Sequence, residues 1–145
     1  MSETSIHLVV RRTIRATPER VFAAWTTPAQ LQAWWGPKGV RCPSAEVDLR
    51  EGGRYRLGNE MPSGDIIWIH GEFESVERPT KLVYTWAVEP AQEARERVTV
   101  RFEAHPEGTE VIVIHERIVS EAARDQHQAG WQGCLDGLVA LFDAR

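Results

Sequence analysis

Residues 120–144, SEAARDQHQAGWQGCLDGLVALFDA, decide the fold. At roughly 100° per residue, Trp131, Cys134, Leu135, Leu138, Leu141 and Phe142 fall on one apolar stripe, with His127 inside it. The spacing predicts one amphipathic helix from Ser120 to Ala144. Gly130, Gly133 and Gly137 run beside the stripe, and each costs about 1 kcal/mol relative to alanine in a helix interior. Side-chain volume is therefore unwanted along this edge. Either the helix presses closely on a neighbour, or it leaves room for something held beneath it.

Working outward, the rest of the chain is rich in strands. Ile6 to Ile14 alternates as a first strand. Thr17-Pro18-Glu19 is a helix start, with a capping hydroxyl, a proline suited to the first helical position and a carboxylate at the positive end of the helix dipole. Val21, Phe22 and Trp25 give that helix its apolar face. Thr27-Pro28 repeats the start, so a second short helix runs toward Trp34 and ends at Gly36-Pro37. Six further strands are predicted at Val47–Leu49, Tyr55–Leu57, Ile66–Phe73, Leu82–Val88, Arg97–Glu103 and Val111–Val119. Turn signals separate them at Gly52-Gly53, Pro62-Ser63-Gly64-Asp65, Glu77-Arg78-Pro79, Glu89-Pro90 and Pro106-Glu107-Gly108. Short connections imply antiparallel neighbours. The predicted fold is α+β: a seven-stranded, curved antiparallel sheet wrapped around one long C-terminal helix, with two short helices after strand 1.

Residues 1–145 are read as a single domain, long enough to bury a sizeable core. Net charge is −4, with both signs mixed, which argues against a concentrated basic face for nucleic acid or a membrane surface. Arg11, Arg12 and Arg15 read as a solvated strand end. The start lacks the apolar core of a secretory leader, and no stretch approaches the roughly 20 apolar residues of a membrane span. Cys42, placed in a loop before Pro43, and Cys134, on the helix stripe, form no metal pair and no disulfide framework. A reducing cytoplasm is expected.

Five segments together resemble a known family. These are Thr17-Pro18-Glu19-Arg20-Val21-Phe22-Ala23-Ala24-Trp25, Leu31-Gln32-Ala33-Trp34-Trp35-Gly36, Asp48-Leu49-Arg50-Glu51-Gly52-Gly53-Arg54-Tyr55, Lys81-Leu82-Val83-Tyr84-Thr85-Trp86 and His127-Gln128-Ala129-Gly130-Trp131. They resemble the homologues of the activator of the 90-kDa heat-shock protein ATPase, within the START-like (SRPBCC) superfamily of helix-grip proteins. The resemblance spans nearly the whole chain. It implies a cavity between sheet and long helix, a feature shared by lipid carriers, hormone receptors, cyclases and chaperone activators, so the fold alone does not fix the chemistry. The chain resembles only the C-terminal-type domain of the eukaryotic activators and leaves no room for their N-terminal domain.

Strand parity assigns faces. Ile67, Ile69, Gly71 and Phe73 share an inward face, and Trp68, His70, Glu72 and Glu74 an outward one. Val98, Val100 and Phe102 point in, as do Leu82, Tyr84, Trp86 and Val88. The last strand is ambiguous by composition, and the resemblance turns Val111, Val113, His115 and Arg117 inward. The expected ligand-binding residues are then Trp35, Tyr55, Tyr84, Trp86, Phe102 and Trp131 as walls, with His115 and His127 as polar handles, although core filling alone also accounts for each aromatic.

No phosphate loop, dinucleotide fingerprint, nucleophile elbow or HExxH pair is present, and neither catalytic residues nor a metal set nor a cofactor is assigned. His115 or His127 retains the chemistry for general acid/base work. The preferred reading is a non-enzymatic binder of a small hydrophobic or aromatic molecule. A chaperone-interacting module with a stress-response role, anchored through Trp68 and His70, and a polyketide cyclase- or hydrolase-like enzyme are the alternatives. A homodimer is left open. The 58–65 loop, rich in Gly, Asn and Pro, is expected to gate the cavity.

Overall fold

The computed structural model describes residues 6–36, 39–89 and 96–143. Pro37, Pro90 and Ala144, named above as boundary residues, lie outside the described residues. The elements are β1 (Ile6–Ile14), α1 (Pro18–Thr26), α2 (Pro28–Trp34), β2 (Arg41–Val47), β3 (Arg54–Glu60), β4 (Ile66–Glu77), β5 (Lys81–Val88), β6 (Glu96–His105), β7 (Gly108–Ile118) and α3 (Glu121–Asp143). All seven strands join one antiparallel sheet in the order β1-β7-β6-β5-β4-β3-β2. The curved sheet, two short helices and one long helix are the helix-grip arrangement that the element order predicts.

The helix starts follow their sequence signals. Thr17 Oγ1 accepts a hydrogen bond from the Arg20 amide at 3.3 Å, with Pro18 at the first helical position. Ser120 Oγ accepts from the Ala123 amide at 3.1 Å and opens α3. Beyond α1 the chain breaks at Thr27 and restarts at Pro28, which brings Trp25, Trp34 and Trp35 together. α3 packs against β1, β7 and α2, while α2 covers β2. Trp25, Trp34, Trp35, Trp86 and Trp131 are all buried in the resulting core.

Two local expectations need correction. The second strand is Arg41–Val47, not Val47–Leu49, and it contains Cys42 and Pro43. Pro43 lacks a donor, but β2 is an edge strand, where a missing N–H leaves no ladder bond unmade. Arg117, expected inward with His115, is exposed, and Ile118 is buried instead. The cause is a bulge: the register with β1 shifts between Ile6 and Leu8, and Arg117 takes φ +63°. The extra residue reverses the parity of everything after it.

Candidate functional site

β6 sets out the site. Glu96 has the same parity as Val98, Val100 and Phe102, so a carboxylate heads an otherwise apolar inward face. On one side it pairs in register with Trp86 of β5, and on the other Val98 pairs with His115 of β7. α3 lays His127 and Trp131, four residues apart, over this row. His115 is 0% exposed. Its Nε2 lies 2.6 Å from Glu96 Oε1, and its Nδ1 lies 3.0 Å from Trp131 Nε1. His127 Nε2 lies 3.3 Å from the same Glu96 oxygen. The two imidazoles stack, 4.6 Å between centroids and 16° between planes.

The hydrogen-bond roles follow from what each group is able to do. An indole N–H only donates, so His115 Nδ1 is the acceptor and His115 Nε2 carries the proton donated to Glu96. His127 likewise directs Nε2 at Glu96, 3.3 Å away. Burial opposes ionisation of Glu96, but hydrogen bonds from His115 and His127 outweigh it and hold the carboxyl down at about 2. Burial also depresses the basicity of His115 against the pull of Glu96, which keeps that ring neutral.

Both shifts carry the same sign for stability. The unfolded chain binds a proton at His115 near pH 6.5 and at Glu96 near pH 4.5, while the folded protein resists both. Each contribution is complete above the unfolded value and is lost as pH falls toward the folded one. The melting temperature is therefore expected to decline in two stages, beginning near pH 6.5 and again below pH 4.5. His115→Gln is expected to remove the upper stage, and calorimetry across pH 3–8 checks it.

Glu96, His115 and His127 also have the identity of a metal set, with ligand atoms within 4.8 Å of one another. The hydrogen-bond roles oppose that use. To ligate through Nε2, His115 must move its proton to Nδ1, where it would face the Trp131 N–H donor-to-donor at 3.0 Å. Metal-bound histidines place an acceptor behind the ring, and this site places a donor there. A three-ligand centre thus requires Trp131 to turn away.

Beside this cluster, between α3 and the β4–β5 end of the sheet, lies a cavity of about 260 Å³. Trp35, Trp86, His127 and Trp131 line it, together with Ile67, Ile69, Val88, Met61, Gly130 and Cys134. Asn59 and Gln126 add polar groups. A Cβ built on Gly130 meets no atom within 4 Å, whereas one on Gly137 sits 2.7 Å from Trp34 O. Both readings of the helix glycines therefore hold, at different points: Gly137 allows close packing on α2, and Gly130 borders open space. Trp35 donates to Asn59 at 3.0 Å, Trp34 to Ala24 O at 2.9 Å, Trp25 to the Tyr84 hydroxyl at 3.4 Å and Trp131 to His115. Trp86 Nε1 is buried with no acceptor among the described residues.

The remaining expected residues lie elsewhere. Tyr55 and Tyr84 border a separate void of about 20 Å³, enough for a water-sized guest. The Tyr55 hydroxyl donates to Thr85 O at 2.6 Å, and burial raises the pKa of both phenols. Phe102 is packed edge-on against Phe22 and Trp25. His115 stands behind the wall and reaches the cavity only through its partners. Of the loop expected to gate the entrance, residues 58–60 belong to β3, and Met61 to Asp65 form a tight turn closed by Met61 N–Asp65 O at 2.8 Å. Cys134 is a buried thiol pushed up to about 12, and Cys42 is buried in β2.

The model of the family described as "Activator of Hsp90 ATPase homolog 1-like protein" matches residues 15–143. The chain belongs to this family. Among solved structures, the fold of this AHSA1-like chain is similar to that of a Chromobacterium violaceum protein, 26% identical, with a TM-score of 0.85 and coverage of 94% of this chain and 96% of that one. It is similar also to the AHSA1-like protein of Aeromonas hydrophila, 27% identical, with a TM-score of 0.80 and coverage of 96% and 93%. The AHSA1 protein of Silicibacter pomeroyi, 24% identical with a TM-score of 0.85 and coverage of 96% and 99%, shares the fold. No curated protein matches the chain. Among the described residues, no helix is long and apolar enough to cross a membrane.

Proposed function

We propose that this AHSA1-like protein binds a small, largely apolar or aromatic molecule in the cavity under α3. The observation that carries this reading is a 260 Å³ space walled by three tryptophans and bordered by a helix glycine that meets nothing. A dry cavity of about 150 Å³ lined by apolar side chains already accepts benzene. Burying about 150 Å² of apolar ligand surface supplies about 4 kcal/mol, the free energy of a millimolar complex. Tighter binding draws on the polar side chains that line the cavity: His127, Asn59 and Gln126.

The chaperone alternative draws on the outer sheet face. There the Arg56 guanidinium sits 3.7 Å over the Trp68 ring and is itself paired with Glu89 at 3.0 Å, so the indole face is covered by the protein's own side chain. This favours the cavity over the outer face as the binding surface.

A thermal-shift screen of one- and two-ring compounds, followed by native mass spectrometry, tests the reading. A compound at one hundred times its Kd stabilises by about 2.7 kcal/mol, a rise on the order of 10 °C for a domain of this size. An unmoved melting temperature across several hundred such compounds overturns the proposal.

A further inference from the structure

Trp35 and Trp86 each line two spaces: the 260 Å³ cavity under α3 and the void of about 20 Å³ that reaches Tyr55 and Tyr84. The two indoles, 6.3 Å between centroids, therefore form the partition between them. They are held differently. Trp86 sits within β5, paired in register with Glu96, and packs on His115, His127 and Trp131. Trp35 caps the end of α2, and the next residue, Gly36, turns the chain away with φ +115°. The Trp35 amide is fixed by Leu31 O at 2.8 Å, and its ring is tethered through Nε1, which donates to Asn59 Oδ1 at 3.0 Å. Asn59 shares the inward parity of Tyr55 and Leu57 on β3, so this tether joins the helix layer to the sheet. Beyond the partition the lining is apolar, with Leu31, Val47, Leu57 and Phe73. The hydroxyls there are engaged, Tyr55 with Thr85 O and Tyr84 with Trp25 Nε1. Asn59, Gln126 and His127 lie on the outer side, where Ile67 and Val88, 38% and 37% exposed, open the cavity to solvent.

We propose that Trp35 closes the inner end of the cavity and sets the size of the ligand it admits: a molecule of one or two rings, with its polar group toward the mouth. This rests on the ligand-binding reading above and names a ligand class for it. An apolar cavity of about 150 Å³ holds benzene, and 260 Å³ is less than twice that volume. A third fused ring has to stay at the mouth, in water, where it takes no further apolar surface out of solvent and adds nothing to affinity. Trimming the indole joins the cavity to the inner void and lets the extra ring slide inward, apolar end first. Trp86 keeps its place in this change, because the β5 ladder and three aromatic neighbours on β7 and α3 hold it.

Benzyl alcohol, 2-naphthalenemethanol and 2-anthracenemethanol form a graded series, with affinity taken from NMR or fluorescence titration. The amide shift of Gly130 reports the cavity and that of Leu57 the inner void. In the parent protein affinity is expected to rise about tenfold from one ring to two and to change by less than about twofold with the third, with Gly130 shifted and Leu57 unmoved. Trp35→Ala is expected to bind the three-ring alcohol at least about tenfold more tightly than the two-ring one, and to shift Leu57 as it does so. Asn59→Leu, which keeps side-chain volume but cuts the tether, is expected to recover part of that gain. Melting curves of each variant confirm folding, and Trp35→Leu serves as a second variant at that position. A third ring that raises the parent's affinity tenfold overturns the proposal and leaves the ligand reading intact. So does a Trp35 variant that stops at two rings as the parent does, or one that gains affinity with Leu57 unmoved. Failure of all three alcohols to bind the parent at millimolar concentration overturns the proposal, whereas the thermal-shift screen alone decides the reading beneath it.

Discussion

Trp131→Ala is expected to cost about 3–5 kcal/mol, against a total stability of about 5–15 kcal/mol for a domain. The side chain is 3% exposed and stacks on Trp25 with 6.0 Å between centroids and a 17° tilt. It also meets Trp35 and Trp86 at 5.4 and 5.5 Å. Alanine removes these contacts and leaves a hole that rigid neighbours on three elements close only in part. It also strips His115 Nδ1 of its donor, in a place that solvent does not reach. Trp131→Phe largely separates the two losses: it keeps most of the buried volume while deleting the N–H. The unpaired, buried acceptor is then expected to cost about 1–3 kcal/mol. Chemical denaturation measures both values. Nitrogen chemical shifts of the His115 ring report the tautomer directly, with Nδ1 unprotonated in the parent protein and released from that restraint in Trp131→Phe. A cost below about 1 kcal/mol for the alanine variant would mean that the aromatic packing around α3 is not the one described.

Sequence pattern reached this site unevenly, for identifiable reasons. The α3 stripe, the Thr-Pro restarts and the alternation in β4, β5 and β6 are local signals, and the elements formed where those signals lay. Pro43 hid β2, because a proline reads as loop unless the strand is known to be an edge, and edges are settled by the whole sheet. Arg117 escaped because one bulged residue reverses parity, and the bulge is a property of pairing with β1. Glu96 was missed although its parity matches that of Val98, since it stands in a run of charged residues that reads as solvent-facing. Its role depends on two histidines, 19 and 31 positions away in the chain, which only the closed fold brings to one oxygen. Phe102 shares the parity of Glu96 but lies six residues further along β6, under α1 rather than at the cavity, so parity gives the face and not the depth.

The helix glycines allow the cavity to be tested from within one element. Gly130 and Gly137 are seven residues apart, close to two turns, so they point in nearly the same direction from α3. Gly130→Leu relieves a helix penalty of about 1 kcal/mol, and its Cβ meets no atom, so the side chain enters the space between Trp35, Trp86 and Trp131. The expected outcome is a melting temperature raised by several degrees together with at least a hundredfold loss of affinity for any cavity ligand. The same replacement at Gly137 gains the same propensity but drives Cβ to 2.7 Å from Trp34 O, a backbone atom at the end of α2. Moving α2 disturbs the Trp25–Trp34–Trp35 packing, and overpacking of this kind costs about 1–3 kcal/mol or more, which exceeds the propensity gain. Opposite signs for one chemical change on one helix face follow from space at Gly130 and contact at Gly137, and from nothing intrinsic to the helix. If Gly130→Leu instead lowers the melting temperature and leaves ligand affinity untouched, the volume beneath α3 is filled by the protein itself, and binding has to be sought on another surface.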